Sequence, residues 1–403
     1  MKRYTYEAKD TSTGKKVKSV VQAESEQAAA KVLLAQGFAP LNIEEEGNSD
    51  SILARFTNRI GTKDKIVFSR QLATLIGAGL PLSQSMRTIA EQTENKRFRA
   101  IVEEILADVE SGKTLSDSFA KYPDIFDKVF LSLIKAGEAS GTLDDALKRI
   151  ANQQEKDAAM MSKIKGALTY PLIVLVVIFG VMAFMLFTVV PQVEKLYDDL
   201  GKELPFLTQT MVNGADFLTK FWWLVIIILG VAGYFIAQYL KTEDGIKVKD
   251  TFKLNVPLFG VMFRKLYMAR FARTAQTLLN TGVPMLDMLK ITSEAVNNTI
   301  VGAGITRAAE KVKGGKALSE SIASEEYILQ LVPQMVKIGE QSGKIDEMLG
   351  RAAQVYEDEL DEQIKAISTA IEPLLMVVLA VVAGGMVGAI LFPIYSLVNG
   401  VNV

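Results

Sequence analysis

Apolar positions along this chain follow three different periods. In residues 1–46 the runs are short: "RYTYEAKD" and "GKKVKSVVQA" read as strands, "SEQAAAKVLLAQG" as a helix starting near Ser25 and stopping at Gly37, and "APLNIEE" as a last strand. This predicts a small N-terminal αβ module, followed by a polar linker over 47–61. From Thr62 the period becomes helical. Phe68, Leu72, Leu75 and Ile76 share one face, and Val129, Phe130, Leu133 and Ile134 share another. Turn signals at Gly79-Leu80-Pro81, Gly112 and Gly141 cut 62–170 into a bundle of short helices. Three charge-free runs then interrupt the amphipathic pattern, at 172–190, 221–240 and 374–391, the last continuing apolar to about 398. Each approaches the roughly 20 apolar residues needed to cross a bilayer. Trp222, Trp223 and Tyr239 sit at the ends of the second, as interfacial aromatics do.

The helical pattern occurs twice. "FSRQLATLIGAGLPL" from Phe68 returns as "FARTAQTLLNTGVPM" from Phe271, matching Arg70 with Arg273, Gly79 with Gly282 and Pro81 with Pro284. "SGKTLSDS" (111–118) returns as "GGKALSES" (314–321). After the loss of one residue, "LIKAGEASGTLDDAL" returns as "MVKIGEQSGKIDEML". The match reaches into the apolar runs, Pro171 with Pro373 and Pro191 with Pro393. Such self-similarity sets the architecture: a helical domain at 62–170 with a span at 171–190, an external loop at 191–220, a second span at 221–240, a second helical domain at 251–370 and a third span at 373–398. The fold class is a mainly α membrane protein, with two homologous cytoplasmic helical bundles, three transmembrane helices and the αβ module.

Two homologous domains facing one compartment need an even number of crossings between them, which spans one and two supply. Charge agrees. Lys148, Arg149, Lys156, Lys163 and Lys165 precede span one, and Lys241, Lys247, Lys249, Lys253, Arg264 and Lys265 follow span two. The loop between them carries more acidic than basic residues. Lys and Arg collect on the cytoplasmic side, so both bundles and the N-terminus are expected inside and the C-terminus outside. The first residues lack an apolar core of the signal-peptide kind, which agrees with an N-terminus that stays inside.

Composition then removes classes of chemistry. Of 403 residues, 49% are apolar and 23% charged, the mixture expected of soluble domains joined to spans. The net charge of −1 argues against a nucleic-acid partner. Cysteine and histidine are absent, so disulfides, Cys/His zinc sites, a histidine base and a cysteine nucleophile are all excluded. "ESGKTLS" resembles the tail of a P-loop, but Ala107 stands where its first Gly is required, and the preceding "FRAIVEEILADVE" is an amphipathic helix rather than a strand. The second copy has Ala317 in place of Thr114. No cofactor and no enzymatic activity are expected.

The residues that remain are those kept twice. Glu138 and Glu340 lie in Gly-Glu-x-Ser-Gly turns formed by Gly137, Glu138, Ser140, Gly141 and by Gly339, Glu340, Ser342, Gly343. As a helix end, the turn uses its first Gly for close packing, its last for φ > 0, and Ser or Thr to cap the next helix. That leaves the carboxylate open to a partner surface or a cation site. Tyr170-Pro171 and Glu372-Pro373 stand where spans one and three begin. A carboxylate beside hydrocarbon is either functional or a headgroup-level residue in an early turn. Gly384 and Gly388 form a GxxxG face for helix packing, within the chain or between subunits.

The doubled domain, the two Gly-Glu-x-Ser-Gly turns, Tyr170-Pro171 answered by Glu372-Pro373, and "VVPQVEKLYDDLGKELPFLTQ" with Glu203, Leu204, Pro205 and Thr208 resemble the PilC/GspF family over nearly the whole chain. The second copy lacks Pro123 and ends soon after span three. The resemblance implies a non-enzymatic platform protein in the inner membrane of a type IV pilus or type II secretion machine. It also implies partners: a cytoplasmic hexameric assembly or secretion ATPase, pilins or pseudopilins, other inner-membrane assembly proteins, the lipid bilayer, and further copies in a homo-oligomer. The alternative is a subunit of an oligomeric transporter or channel, against which stands the lack of any charged residue inside the three runs.

Overall fold

The structure, a computed structural model, describes residues 2–10, 16–23, 26–35, 37–45, 59–199 and 206–399. The linker 47–61, up to residue 58, and the Glu203-Leu204-Pro205 signature therefore lie outside the described residues. The chain divides into two compact units, one of residues 1–68 and 81–111, the other of 69–80 and 112–403.

In the first unit, strands β1 (Lys2–Asp10), β2 (Lys16–Ala23) and β3 (Phe38–Glu45) form an antiparallel sheet in the order β2-β1-β3. Alternation along β1 puts Tyr6 and Ala8 on the face covered by Leu33 of helix α1 (Glu26–Ala35). The β1–β3 register slips between Glu7 and Ala8, where Ala8 faces Pro40. Proline cannot donate to the ladder, and β3 is an edge strand, where such a break is tolerated. The same unit holds α3 (Leu82–Gln92), α4 (Lys96–Glu110) and the start of α2 (Thr62–Gly77). Asn95 caps α4 by accepting from Phe98 N–H at 3.1 Å.

In the second unit the first repeat continues as α5 (Leu115–Ala120), α6 (Lys128–Ser140) and α7 (Leu143–Phe184). Phe119, Phe126 and Phe130 pack with ring centroids 4.4–4.9 Å apart. A π-helical turn at Met185–Val189 leads into α8 (Val190–Asp199), and α9 (Phe206–Tyr239) returns. The connector 191–220 is thus largely helical where it is described, rather than the loop its composition suggested. Phe221 leaves the helical region at φ −115, ψ 18, directly before exposed Trp222 and Trp223. The second repeat follows as α10 (Glu243–Asn255), α11 (Phe259–Leu279), α12 (Met285–Ala295), α13 (Thr299–Lys313), α14 (Leu318–Ala323), α15 (Leu331–Ser342) and α16 (Ile345–Asn399). Duplication is visible in the backbone itself: φ is 86° at Gly79 and 81° at Gly282, and 89° at both Gly112 and Gly315.

Among the described residues, three helices are long and apolar enough to cross a membrane. Two of them begin as soluble helices. The 42 residues of α7 and the 55 of α16 run from the bundle into an apolar span with no break, through Pro171 and Pro373. At 1.5 Å per residue these are rods of roughly 60 and 80 Å. Their soluble halves are joined to α11 by a shared core of Met160, Ile164, Met262, Leu266, Leu360, Ile364 and Ile367.

Candidate functional site

Each Gly-Glu-x-Ser-Gly turn joins a bundle helix to one of the two rods, and its geometry accounts for every named residue. Gly141 (φ 73°) and Gly343 (φ 71°) end α6 and α15 in the left-handed region, which a side chain enters only at a cost. Their N–H groups reach back to the carbonyls of Gly137 and Gly339, which also accept from Thr142 and Lys344 N–H at 2.9 Å. The rod then passes so close that a Cβ on Gly137 would lie 2.6 Å from Ala146 Cβ. On Gly339 it would lie 2.6 Å from Ile345 Cα. The expected capping by serine does not occur. Ser140 and Ser342 hydroxyls donate to the carbonyls of Ala136 and Ile338, both at 2.8 Å. Thr142 opens α7 without a side-chain cap, because its backbone (φ −109, ψ 41) is not in the extended region that caps occupy.

The carboxylates close a different gap. Glu138 accepts from Leu115 N–H at 2.7 Å and from Ser116 N–H and O–H at 3.2 and 2.9 Å. Glu340 accepts from Leu318 N–H at 2.6 Å, Ser319 N–H at 3.3 Å and the Ser319 hydroxyl. These are the first N–H groups of α5 and α14, which have no partner within their own helix and favour negative charge. Among the described residues, no three Asp or Glu side chains assemble as metal ligands around either turn.

A charged seam that single-residue reading missed links α2 and α11 to the two rods. Arg70 donates to Glu155 through Nε at 2.7 Å and to Asn152 at 2.6 Å. The matched Arg273 donates to Glu357 through Nε at 2.8 Å. Both arginines had been paired by the repeat. Their partners could have been found in the same way, since Glu155 and Glu357 are 202 residues apart, the offset that holds after the loss of one residue. The first pair is open to solvent, with side chains 38% and 43% exposed, and the second is not, at 16% and 13%. Glu357 also meets Lys156 at 3.2 Å, and Lys163 pairs with Asp361, so the first repeat's rod is tied to the second's. Beside this seam a cavity of about 80 Å³ is lined by Asp127, Gln153, Asp157 and Thr274 among others. Burial pushes the Asp157 carboxyl up, against the pull of Arg270 3.9 Å away.

Tyr170, Glu372 and Pro373 are exposed at the starts of the spans, and Pro171 is half-buried there. A Cβ on Gly384 or Gly388 would meet nothing within 4 Å, so that face packs on no other part of this chain among the described residues. "SGKT" forms no phosphate cradle. Gly112 makes the turn between α4 and α5, and Thr114 caps α5 by accepting from Asp117 N–H at 3.1 Å.

Comparison with known proteins agrees with this duplicated geometry. The family described as type II secretion system (T2SS), protein F matches twice, over residues 68–191 and 271–393, and its N-terminal domain matches residues 1–44. The chain is 36% identical over 405 residues to the type IV pilus assembly protein PilC of Thermus thermophilus, covering 99% of each. It is 37% identical over 370 residues to PilC of Pseudomonas aeruginosa, covering 91% of this chain and 98% of that one. It is 31% identical over 404 residues to type II secretion system protein F of Vibrio cholerae, covering 99% of each. With both repeats, the N-terminal module and nearly the whole length matched, this chain belongs to the type II secretion system protein F family.

Proposed function

We propose that this chain is the non-enzymatic membrane platform of a type IV pilus or type II secretion machine, passing motion from a cytoplasmic hexameric ATPase to pilins or pseudopilins in the membrane. The observation that carries this reading is the pair of unbroken helices, α7 and α16, each beginning in a bundle and ending as an apolar span. A displacement applied to a bundle can reach the bilayer along such a continuous helix, in which Pro171 and Pro373 are the points where it can bend. The seam of Lys156, Glu357, Lys163 and Asp361 makes the two rods move as one. Within this reading the Gly-Glu-x-Ser-Gly turns stiffen the junction where force enters a rod. Both bundles and the N-terminus lie in the cytoplasm and the C-terminus outside, in accord with the basic residues that flank the spans.

Deletion of the gene in its own host, followed by complementation with the full chain, tests the proposal. Surface pilin or secreted substrate should disappear and return. The assembly ATPase should co-purify with the detergent-extracted chain. Normal filaments and normal secretion in the deletion strain would reject the platform role.

A further inference from the structure

Just before their apolar runs, α7 and α16 enclose a cleft of about 650 Å³ between them. Its walls come from matched positions of the two repeats: Lys163 and Lys365, Gly166 and Ser368, Ala167 and Thr369, each pair 202 residues apart. Lys163 and Lys365 both stand nine residues before the first residue of their apolar runs, Leu172 and Leu374. That distance is about 13 Å of helix, within reach of the headgroup layer for a long side chain that extends toward it. Five to eight residues beyond the last lining residue of each helix, Leu172, Ile173, Leu374 and Val377 begin the apolar runs and are exposed, in need of an apolar covering.

Three features of this cleft suit a phospholipid headgroup. Lys365 has no ion pair among the described residues, and Lys163 is the cationic half of a pair with Asp361 at the cleft floor. Pro171 and Pro373 have no N–H, so the carbonyls of Ala167 and Thr369, four residues before them, lose their helical donors. Gly166 leaves its side of the cleft open, since a Cβ there would meet nothing within 4 Å. Cations beside carbonyls lacking donors match a phosphate that carries hydroxyl groups. Basic pockets between spans on the cytoplasmic side are a recognised setting for anionic headgroups.

We infer that the cleft between α7 and α16 binds the headgroup of an anionic glycerophospholipid, with Lys365 and Lys163 on the phosphate, the Ala167 and Thr369 carbonyls accepting from the glycerol hydroxyls, and the acyl chains along the exposed apolar faces above. The inference rests on both helices being spans and goes beyond the platform role. A lipid seated there would wedge the rods at a fixed separation.

The test is native mass spectrometry of the full chain in detergent, titrated with dioleoylphosphatidylglycerol or dioleoylphosphatidylcholine. Phosphatidylglycerol should be retained in preference, and millimolar inorganic phosphate should not displace it. Lys365→Gln should reduce retention about fivefold, as loss of one basic contact at a membrane surface does. Gly166→Leu should block the cleft while leaving both lysines in place and, in a helix with open space around it, without strain. Lys165→Gln removes the same charge from an exposed position outside the cleft and should change retention less than twofold. Equal loss in Lys165→Gln and Lys365→Gln would reduce the effect to general surface charge and overturn the site. So would equal retention of the two lipids, or displacement by phosphate. If Gly166→Leu lowers thermal stability, the two lysine variants still decide. Loss of lipid binding with normal pilus or secretion output would leave the platform reading standing.

Discussion

The two repeats solve the same problem with different residues. In the first, the N–H groups opening α5 are shared between two acceptors, Glu138 taking Leu115 and Ser116 and Thr114 taking Asp117. In the second, Ala317 stands at the position of Thr114 and contributes no side-chain acceptor, so Glu340 carries the cap alone. The first repeat packs Phe119, Phe126 and Phe130 where the second buries Ile322, Ile328 and Val332. The first leaves its arginine–carboxylate pair in solvent, and the second encloses it against the first repeat's rod. Duplication preserved the turn and the pair, and the second copy came to depend on them more.

The largest consequence concerns the arginines. Arg273→Ala leaves Glu357 enclosed with Lys156 as its remaining cation among the described residues, and should cost about 3 kcal/mol. Arg70→Ala removes a solvent-exposed pair and should cost less than about 1 kcal/mol. Melting of the full-length variants in one detergent measures both, and equal shifts would erase the distinction between the repeats.

Next come the glycines. Gly137→Ala and Gly339→Ala should each lose roughly 2–3 kcal/mol by overpacking. Adding Ala146→Gly should recover part of the first loss, since the nearest obstacle there is the Ala146 methyl group. At Gly339 the obstacle is the Ile345 backbone, so Ile345→Ala should recover nothing. Recovery at the second site would show that the rod yields.

Smaller effects follow from the carboxylates. Glu340→Gln should cost about 2 kcal/mol and Glu138→Gln about 1, because charge-assisted bonds are lost in both while Thr114 still caps the first. The reverse order, seen by melting, would contradict the shared-cap account.

How far the sequence reaches can be judged from these same residues. The repeat, the turns, the left-handed glycines and the three spans were all legible, because glycine, proline and uncharged runs have strong local meanings. The partners of Glu138 and Glu340 were not. They include backbone N–H groups 21 to 23 residues upstream, which any residue type but proline supplies, and the hydroxyls of Ser116 and Ser319. Ser140 was expected to cap α7, but in a helix its hydroxyl can instead return to the carbonyl four residues back, and it does. The extension of helix through 191–199 was hidden by polar residues that suit either a loop or an amphipathic helix. The cleft between the rods depends on two segments 202 residues apart and had no local signal.

The smallest effect is on acid stability. Hydrogen bonds from Arg70, reinforced by its charge, hold the Glu155 carboxyl below the usual carboxylate range. That contribution is present above the unfolded value near 4.3 and is lost as pH falls through the folded value. Asp157, pushed up by burial, acts in the opposite sense, its cost easing as pH falls. Arg70→Ala should therefore move the acid-unfolding midpoint slightly upward, measured by fluorescence of the full chain, and an unchanged midpoint would show that the exposed pair contributes nothing.

The proposed function requires the two repeats to face one compartment. The chain has no cysteine, so single substitutions report position without background. Glu103→Cys, Asp198→Cys and Lys337→Cys are each placed at exposed positions, in the first repeat, the connector and the second repeat. In cells with an intact inner membrane, an impermeant maleimide should label the variant at 198 and reach those at 103 and 337 only after lysis. Labelling at 337 before lysis, with 103 protected, would put the two repeats on opposite sides of the membrane and contradict the account.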